Sequence, residues 1–218
     1  MPGSVQTVLA FGDSLTWGAD AETGGRHPYE DRWPTVLERQ LGGEARIIAE
    51  GLSGRTTSMD DHASLADLNG VRALPMLLAT HTPIDLVVIM LGTNDLKPHL
   101  CGKALGAAFG MRRLAQIVAT YPFGPGAPRP GVLLVAPPII AEPEQARTLD
   151  CFLDAASESR SLAALYRDVA GEQSCGFFDA AAVCRPSPLD GVHLDVDNTR
   201  AIGVALAPIV RTMLRAGS

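Results

Sequence analysis

Short runs of consecutive apolar residues alternate along the chain with longer stretches in which apolar and polar positions separate at helical spacing. The runs Val5–Phe11, Arg46–Glu50, Leu86–Leu91, Val132–Ala136 and Gly176–Phe178 have strand length and are rich in Val, Ile, Leu and Phe. A continuous apolar run suits a strand covered on both faces, whereas a half-exposed strand would alternate. Between these runs the pattern predicts helices over Arg32–Gln40, Val71–Thr80, Leu105–Thr120, Glu144–Ala170 and Asn198–Leu214. In Leu105, Phe109, Arg112, Arg113 and Gln116, for example, apolar and polar positions fall on separate sides of a helix. Strands alternating with helices imply a parallel sheet with right-handed crossovers and helices on both faces. The expected fold is a three-layer α/β/α domain over residues 1–218, its five strands in the flavodoxin-like doubly wound order. In such a sheet ligands bind beyond the carboxyl ends of the strands.

Three loops follow expected strands directly, and each therefore belongs to that rim: Gly12-Asp13-Ser14, Gly51-Leu52-Ser53-Gly54 and Gly92-Thr93-Asn94-Asp95. A serine hydroxyl is a poor nucleophile unless a neighbouring base takes its proton, and Ser14 sits at a strand-to-loop turn between Gly12 and Gly18. Its backbone N–H at such a turn can point at an oxyanion. A serine after Gly-Asp is also a common turn or cap residue. The candidate base is His193, one of five histidines, with Asp190 three residues upstream across Gly191. That spacing lets Asp190 accept the Nδ1 proton while Nε2 faces outward. Gly54 and Asn94 are candidate oxyanion donors, although a tight turn and a cap would account for them equally well when each is taken alone.

Other local patterns carry less. Gly51-Leu52-Ser53-Gly54 approaches a Gly-x-Ser-x-Gly nucleophile elbow, but Arg55 stands where the last glycine belongs. Asp60, Asp61 and His62 lack a spaced partner set, so no metal is expected. His81, before Thr82-Pro83, ends a helix, where an imidazolium would oppose the dipole favourably. The segment Asp20–Asp31 reads as a polar loop near the rim, and Tyr121–Pro130 as a surface connection.

Composition narrows the classes. A net charge of −6 with no basic stripe argues against a nucleic-acid partner. The four cysteines show no C-x-x-C spacing, which weakens zinc and redox-motif readings, and a Cys175–Cys184 disulfide is not expected. No phosphate loop and no G-x-G-x-x-G opening the first helix support a nucleotide site, and no cofactor is expected. No apolar run is long enough to span a bilayer, and Val5–Phe11 is too short for a signal segment, so no membrane partner and a cytoplasmic location are expected.

Together, Gly-Asp-Ser-Leu at 12–15, Gly54, Gly-Thr-Asn-Asp at 92–95 and Asp-x-x-His at 190–193 follow the order of the SGNH (GDSL-type) hydrolase blocks, and the chain resembles that family. The resemblance implies a serine esterase with Ser14 as nucleophile, Asp190 and His193 completing the triad, and oxyanion donors from Ser14, Gly54 and Asn94. Further stretches, Gly12–Gly18 with Trp17, Gly51–Thr57, Leu86–Asp95 with Lys97, and Phe177-Phe178-Asp179, look like the bacterial arylesterase/acyltransferase subgroup. That subgroup implies a homo-oligomer, an octamer, with a narrow apolar channel that Trp17, Phe152 and Val192 would line. The implied partner is a small-molecule ester, favouring acetyl esters of aryl or sugar alcohols, with acyl transfer or perhydrolysis as side reactions. Lysophospholipase or thioesterase activity is the near alternative, and a non-catalytic binding module the distant one. Departures from the subgroup fall in loops, around Ala21–Tyr29 and Pro137–Leu149.

Overall fold

The computed structural model describes residues 5–124, 127–142, 151–152 and 154–217. Five strands, β1 (Gln6–Gly12), β2 (Ala45–Gly51), β3 (Leu86–Met90), β4 (Gly131–Ala136) and β5 (Gly176–Asp179), form one sheet in the order β2-β1-β3-β4-β5. Every pairing is parallel, with Val8 opposite Ile47 and Leu86 opposite Gly131 at the start of β4. Six helices are described: α1 (Ser14–Trp17), α2 (Trp33–Leu41), α3 (Gly70–His81), α4 (Ala104–Thr120), α5 (Ala155–Gln173) and α6 (Val196–Ala216). The result is the three-layer α/β/α arrangement in the flavodoxin-like order.

The apolar runs are explained by two cores that share one sheet. On one face, Leu9 and Phe11 of β1, Val87 and Ile89 of β3 and Leu134 of β4 pack with Leu74 and Leu78 of α3, Met111 and Leu114 of α4, and Leu162 and Tyr166 of α5. On the other, the alternate residues Val8, Ala10, Val88, Met90 and Leu133 pack with Trp33 and Leu37 of α2 and Ile202, Leu206 and Val210 of α6. Because side chains alternate across a strand, only an unbroken apolar run can serve both cores. Cutting one such leucine to alanine typically costs about 2–5 kcal/mol.

Strand positions agree with the sequence pattern to within a residue at each end, while one helix differs more. The stretch expected to be helical from Glu144 lies partly outside the described residues, since 143–150 and 153 are not among them. Of the described neighbours, residues 151, 152 and 154 form a bend and turns, and Asp154 takes a left-handed backbone (φ 62°), so α5 begins only at Ala155. At its other end the helix runs past Gly171 to Gln173, and left-handed Ser174 closes it by donating its N–H to Ala170 and Gly171 carbonyls. The Pro137–Leu149 loop likewise falls partly outside the described residues.

Candidate active site

Ser14 is the first residue of a short helix rather than part of an open turn. The Asp13 carboxylate caps α1 by accepting the Leu15 N–H (2.9 Å), and Gly18 closes the helix through its N–H to the Ser14 carbonyl (2.9 Å). This one-turn helix lies close against the end of β2. A Cβ on Gly51 would stand 2.2 Å from the Trp17 nitrogen, so only glycine lets the second loop pass there. Ser14 is left 6% exposed at the carboxyl end of β1, on the rim the fold class predicts for ligands.

The loop ahead of α6 brings His193 to it. Asp190 Oδ1 accepts the N–H groups of Val192 and His193 (both 2.9 Å), and Oδ2 accepts the His193 Nδ1 proton (2.6 Å). With Nδ1 donating, Nε2 carries the free electron pair, and it stands 3.0 Å from Ser14 Oγ. Burial alone would raise the Asp190 pKa, but the hydrogen bonds from His193 and from the Val192 and His193 N–H groups outweigh it and hold the carboxyl below its ordinary value. The loop is braced from two sides. Ala141 donates to the Gly191 carbonyl (2.9 Å) and Ser187 to the His193 carbonyl (2.7 Å). The segment after α1, expected to be a polar loop near the rim, runs beside it: Asp20 bridges Leu194, and buried His27 donates Nε2–H to the Leu194 carbonyl (2.9 Å).

The second and third rim loops meet Ser14 from the opposite side. Gly54 holds a left-handed backbone (φ 87°) beside Leu68, a conformation that suits glycine. Neither its N–H nor that of Ser14 has an acceptor among the described residues. The Asn94 side-chain amide donates to the Arg55 carbonyl (3.1 Å) and, at a longer 3.4 Å, to Asp13 Oδ2. The two loops are tied together by Asp95, which accepts the Thr57 N–H (2.9 Å) and hydroxyl (2.5 Å). Arg55, 5% exposed, lies over the Phe11 ring at 4.4 Å and donates to the Gly12 (2.8 Å) and Glu50 carbonyls. Burial pushes both Asp13 and Asp95 up to about 6, and their hydrogen bonds only partly offset it.

The GDSL-like lipase/acylhydrolase family model matches residues 10–200, which takes in every loop of this rim. The chain belongs to that family. A carbohydrate acetylesterase family member from Sinorhizobium meliloti superposes with a TM-score of 0.95 at 50% identity, covering 97% of this chain and 100% of that one. The aryl esterase of M. smegmatis superposes at 0.90 with 41% identity, covering 96% and 100%. A second carbohydrate acetylesterase of S. meliloti gives 0.90 at 41%, covering 95% and 99%. No curated protein matches the chain. The chain is thus a GDSL-type acylhydrolase, a carboxylic ester hydrolase, and no helix among the described residues is long and apolar enough to cross a membrane.

Within this acylhydrolase, Val192 is 5% exposed in the apolar cluster against which Phe152 packs, while Trp17 sits one turn after Ser14 with the Arg26 guanidinium 4.7 Å over its ring. Ser53 is exposed. Asp60 pairs with Arg72 and Asn69, and Asp61 with Lys97 and His99. Among the described residues no cluster of three His, Cys, Asp or Glu side chains is placed to hold a metal ion. His81 does end α3, but its Nε2 bonds to Glu50 Oε1 (2.8 Å) across to β2. Sequence reasoning passed over Asp13, Arg55 and the Thr57–Asp95 tie. The signal for Asp13 was present, because an Asp one residue ahead of a helix start is a preferred cap. For Arg55 and Thr57 there was none, since their partners lie in other loops.

Proposed function

We propose that this acylhydrolase is a serine esterase acting on short-chain, chiefly acetyl, esters of aryl or carbohydrate alcohols. The observation that carries the reading is the hydrogen-bonded chain Ser14 Oγ, His193 Nε2, His193 Nδ1, Asp190 Oδ2, with links of 3.0 and 2.6 Å. Nucleophile and base are within proton-transfer reach, and the base is oriented by a carboxylate. His193 takes the Ser14 proton as Oγ attacks the ester carbonyl. The N–H groups of Ser14 and Gly54 and the Asn94 amide hold the oxyanion, and the unpaired state of the two backbone donors supports that role. His193⁺ then protonates the leaving alcohol, and water, activated by the same imidazole, releases the acid. Asp190 stabilises the imidazolium formed in each step. Trp17, Phe152 and Val192 line the substrate path. One domain over residues 1–218 carries all of it, without cofactor.

The acetyl preference draws on the structural neighbours that bear the names carbohydrate acetylesterase and aryl esterase. A cytoplasmic homo-oligomer, an octamer, completes the reading, and exposed Leu105 and Phe109 on α4 suit a contact between subunits. In a dry channel an alcohol or peroxide can intercept the acyl-enzyme, giving acyl transfer or perhydrolysis. An alcohol-to-water product ratio that only follows bulk concentration would argue against preferential transfer in such a channel. The central test is turnover of p-nitrophenyl acetate by the wild type and Ser14→Ala, with activity vanishing in the variant. A series from acetate to octanoate separates the specificity readings: activity falling with length fits the acetylesterase, and rising activity fits a lysophospholipase or thioesterase.

A further inference from the structure

Asp13 is wholly buried beside the nucleophile, and its second carboxylate oxygen is poorly served. Oδ1 caps α1 through the Leu15 N–H, but among the described residues the one partner of Oδ2 is the Asn94 amide at 3.4 Å, near the outer limit for a hydrogen bond. The Asn94 amide nitrogen has two hydrogens. One is engaged by the Arg55 carbonyl at 3.1 Å, so the other is the one left for an oxyanion, and it faces Asp13.

We infer that Asp13 is a positioning residue: it holds the second Asn94 N–H aimed at the oxyanion site by a deliberately weak hydrogen bond, which the oxyanion replaces during acyl transfer. This rests on the oxyanion role proposed for Asn94. An amide held by two good acceptors would have to break a strong bond to reach the substrate. One held by a single acceptor could rotate about its side-chain torsions. The long contact to a buried carboxylate keeps the geometry while leaving the proton easily transferred between acceptors, which is the preorganisation that makes such donors effective. The orientation depends on Asp13 being ionised, because a protonated carboxyl is a weaker acceptor. The charged or titratable groups that act on it are His193 from the loop before α6, Arg55 from the loop after β2, Asp95 from the loop after β3 and Tyr166 from α5.

The test uses Asp13→Asn, in which the side-chain oxygen can still cap α1 but an NH₂ would face the Asn94 NH₂, and Asp13→Ser, which keeps a capping oxygen and removes the second acceptor. Steady-state kinetics on p-nitrophenyl acetate are measured for both, for Asn94→Ala and for the Asp13→Asn/Asn94→Ala double variant. The expected result is a fall in kcat of roughly 10- to 100-fold in both Asp13 variants with KM little changed, below the roughly 100- to 1,000-fold fall for the loss of the donor itself. The double variant should be no slower than Asn94→Ala alone. The acid limb of kcat/KM should be shallower in Asp13→Asn than in the wild type, which a general loss of structure would not produce. Losses that multiply in the double variant, or an unchanged acid limb, would overturn the inference while leaving the esterase reading intact. Full activity in Asn94→Ala would overturn the oxyanion assignment beneath it.

Discussion

Two carboxylates flank the Ser14–His193 pair and live under opposite conditions. Asp190 is held at both oxygens, by two backbone N–H groups and by the His193 imidazole at 2.6 Å, and its pKa lies below the ordinary value. Asp13 is more deeply buried, has one good hydrogen bond and one long one, and sits at about 6. The difference follows the task on each side. Where the proposed mechanism develops positive charge, on the His193 imidazole, a fully satisfied anion would stabilise it. Where that mechanism develops negative charge, on the carbonyl oxygen, a carboxylate bonded tightly to the Asn94 amide would compete for the donor that the oxyanion needs, and the long 3.4 Å contact does so least.

Substitutions on the two sides should separate accordingly. Ser14→Ala removes the group both sides serve and should lower kcat for p-nitrophenyl acetate by about 10⁴-fold or more, leaving what binding and the oxyanion donors supply. Asp190→Asn should come next, at roughly 10³- to 10⁴-fold, because an amide can donate to Nδ1 and reverse the imidazole tautomer. If Asp190→Asn instead costs less than Asn94→Ala, measured in the same assay, the proposed division of labour is wrong.

The remaining prediction concerns stability, and its sign differs between the two sides. Asp13 and Asp95 have folded-state values near 6, above the ordinary carboxylate value, so between about pH 4 and 6 the folded chain holds protons that the unfolded chain releases. Their contribution to stability therefore improves as pH falls through 6 and is complete below the unfolded value. Asp190 behaves the other way: its contribution is present above its unfolded value and is lost only as pH falls through its depressed folded value. Denaturant midpoints should rise on going from about pH 7 to about pH 5, and Asp13→Asn should show a smaller rise because only Asp95 remains. Equal rises in both proteins would mean that Asp13 is not the burdened group.

The parts of this account that were legible in the sequence are those written in short range. Strand runs such as Leu86–Leu91 declared a two-faced sheet because every position had to be apolar, and Asp190-Gly191-Val192-His193 declared its own hydrogen bonds because three residues span the whole motif. The start of α5 was not legible, since a left-handed Asp154 is a backbone state and not a residue type. The Asp13–Asn94 contact was not legible either, because it joins positions 81 residues apart through the packing of two loops. Ser14 and His193, 179 residues apart, were paired by resemblance alone until the sheet order brought the first and last rim loops together.

The central claim is that Ser14 Oγ becomes acylated. Mixing the protein with p-nitrophenyl acetate, quenching in acid within the first turnovers and mapping the acetyl group by peptide mass spectrometry tests this directly. The account predicts one acetyl group on the peptide containing Ser14, strongly reduced in His193→Ala, which lacks the base for the first step, and absent in Ser14→Ala. An acetyl group found instead on Ser53 or any other residue, or turnover with no acetylated peptide at any quench time, would contradict it.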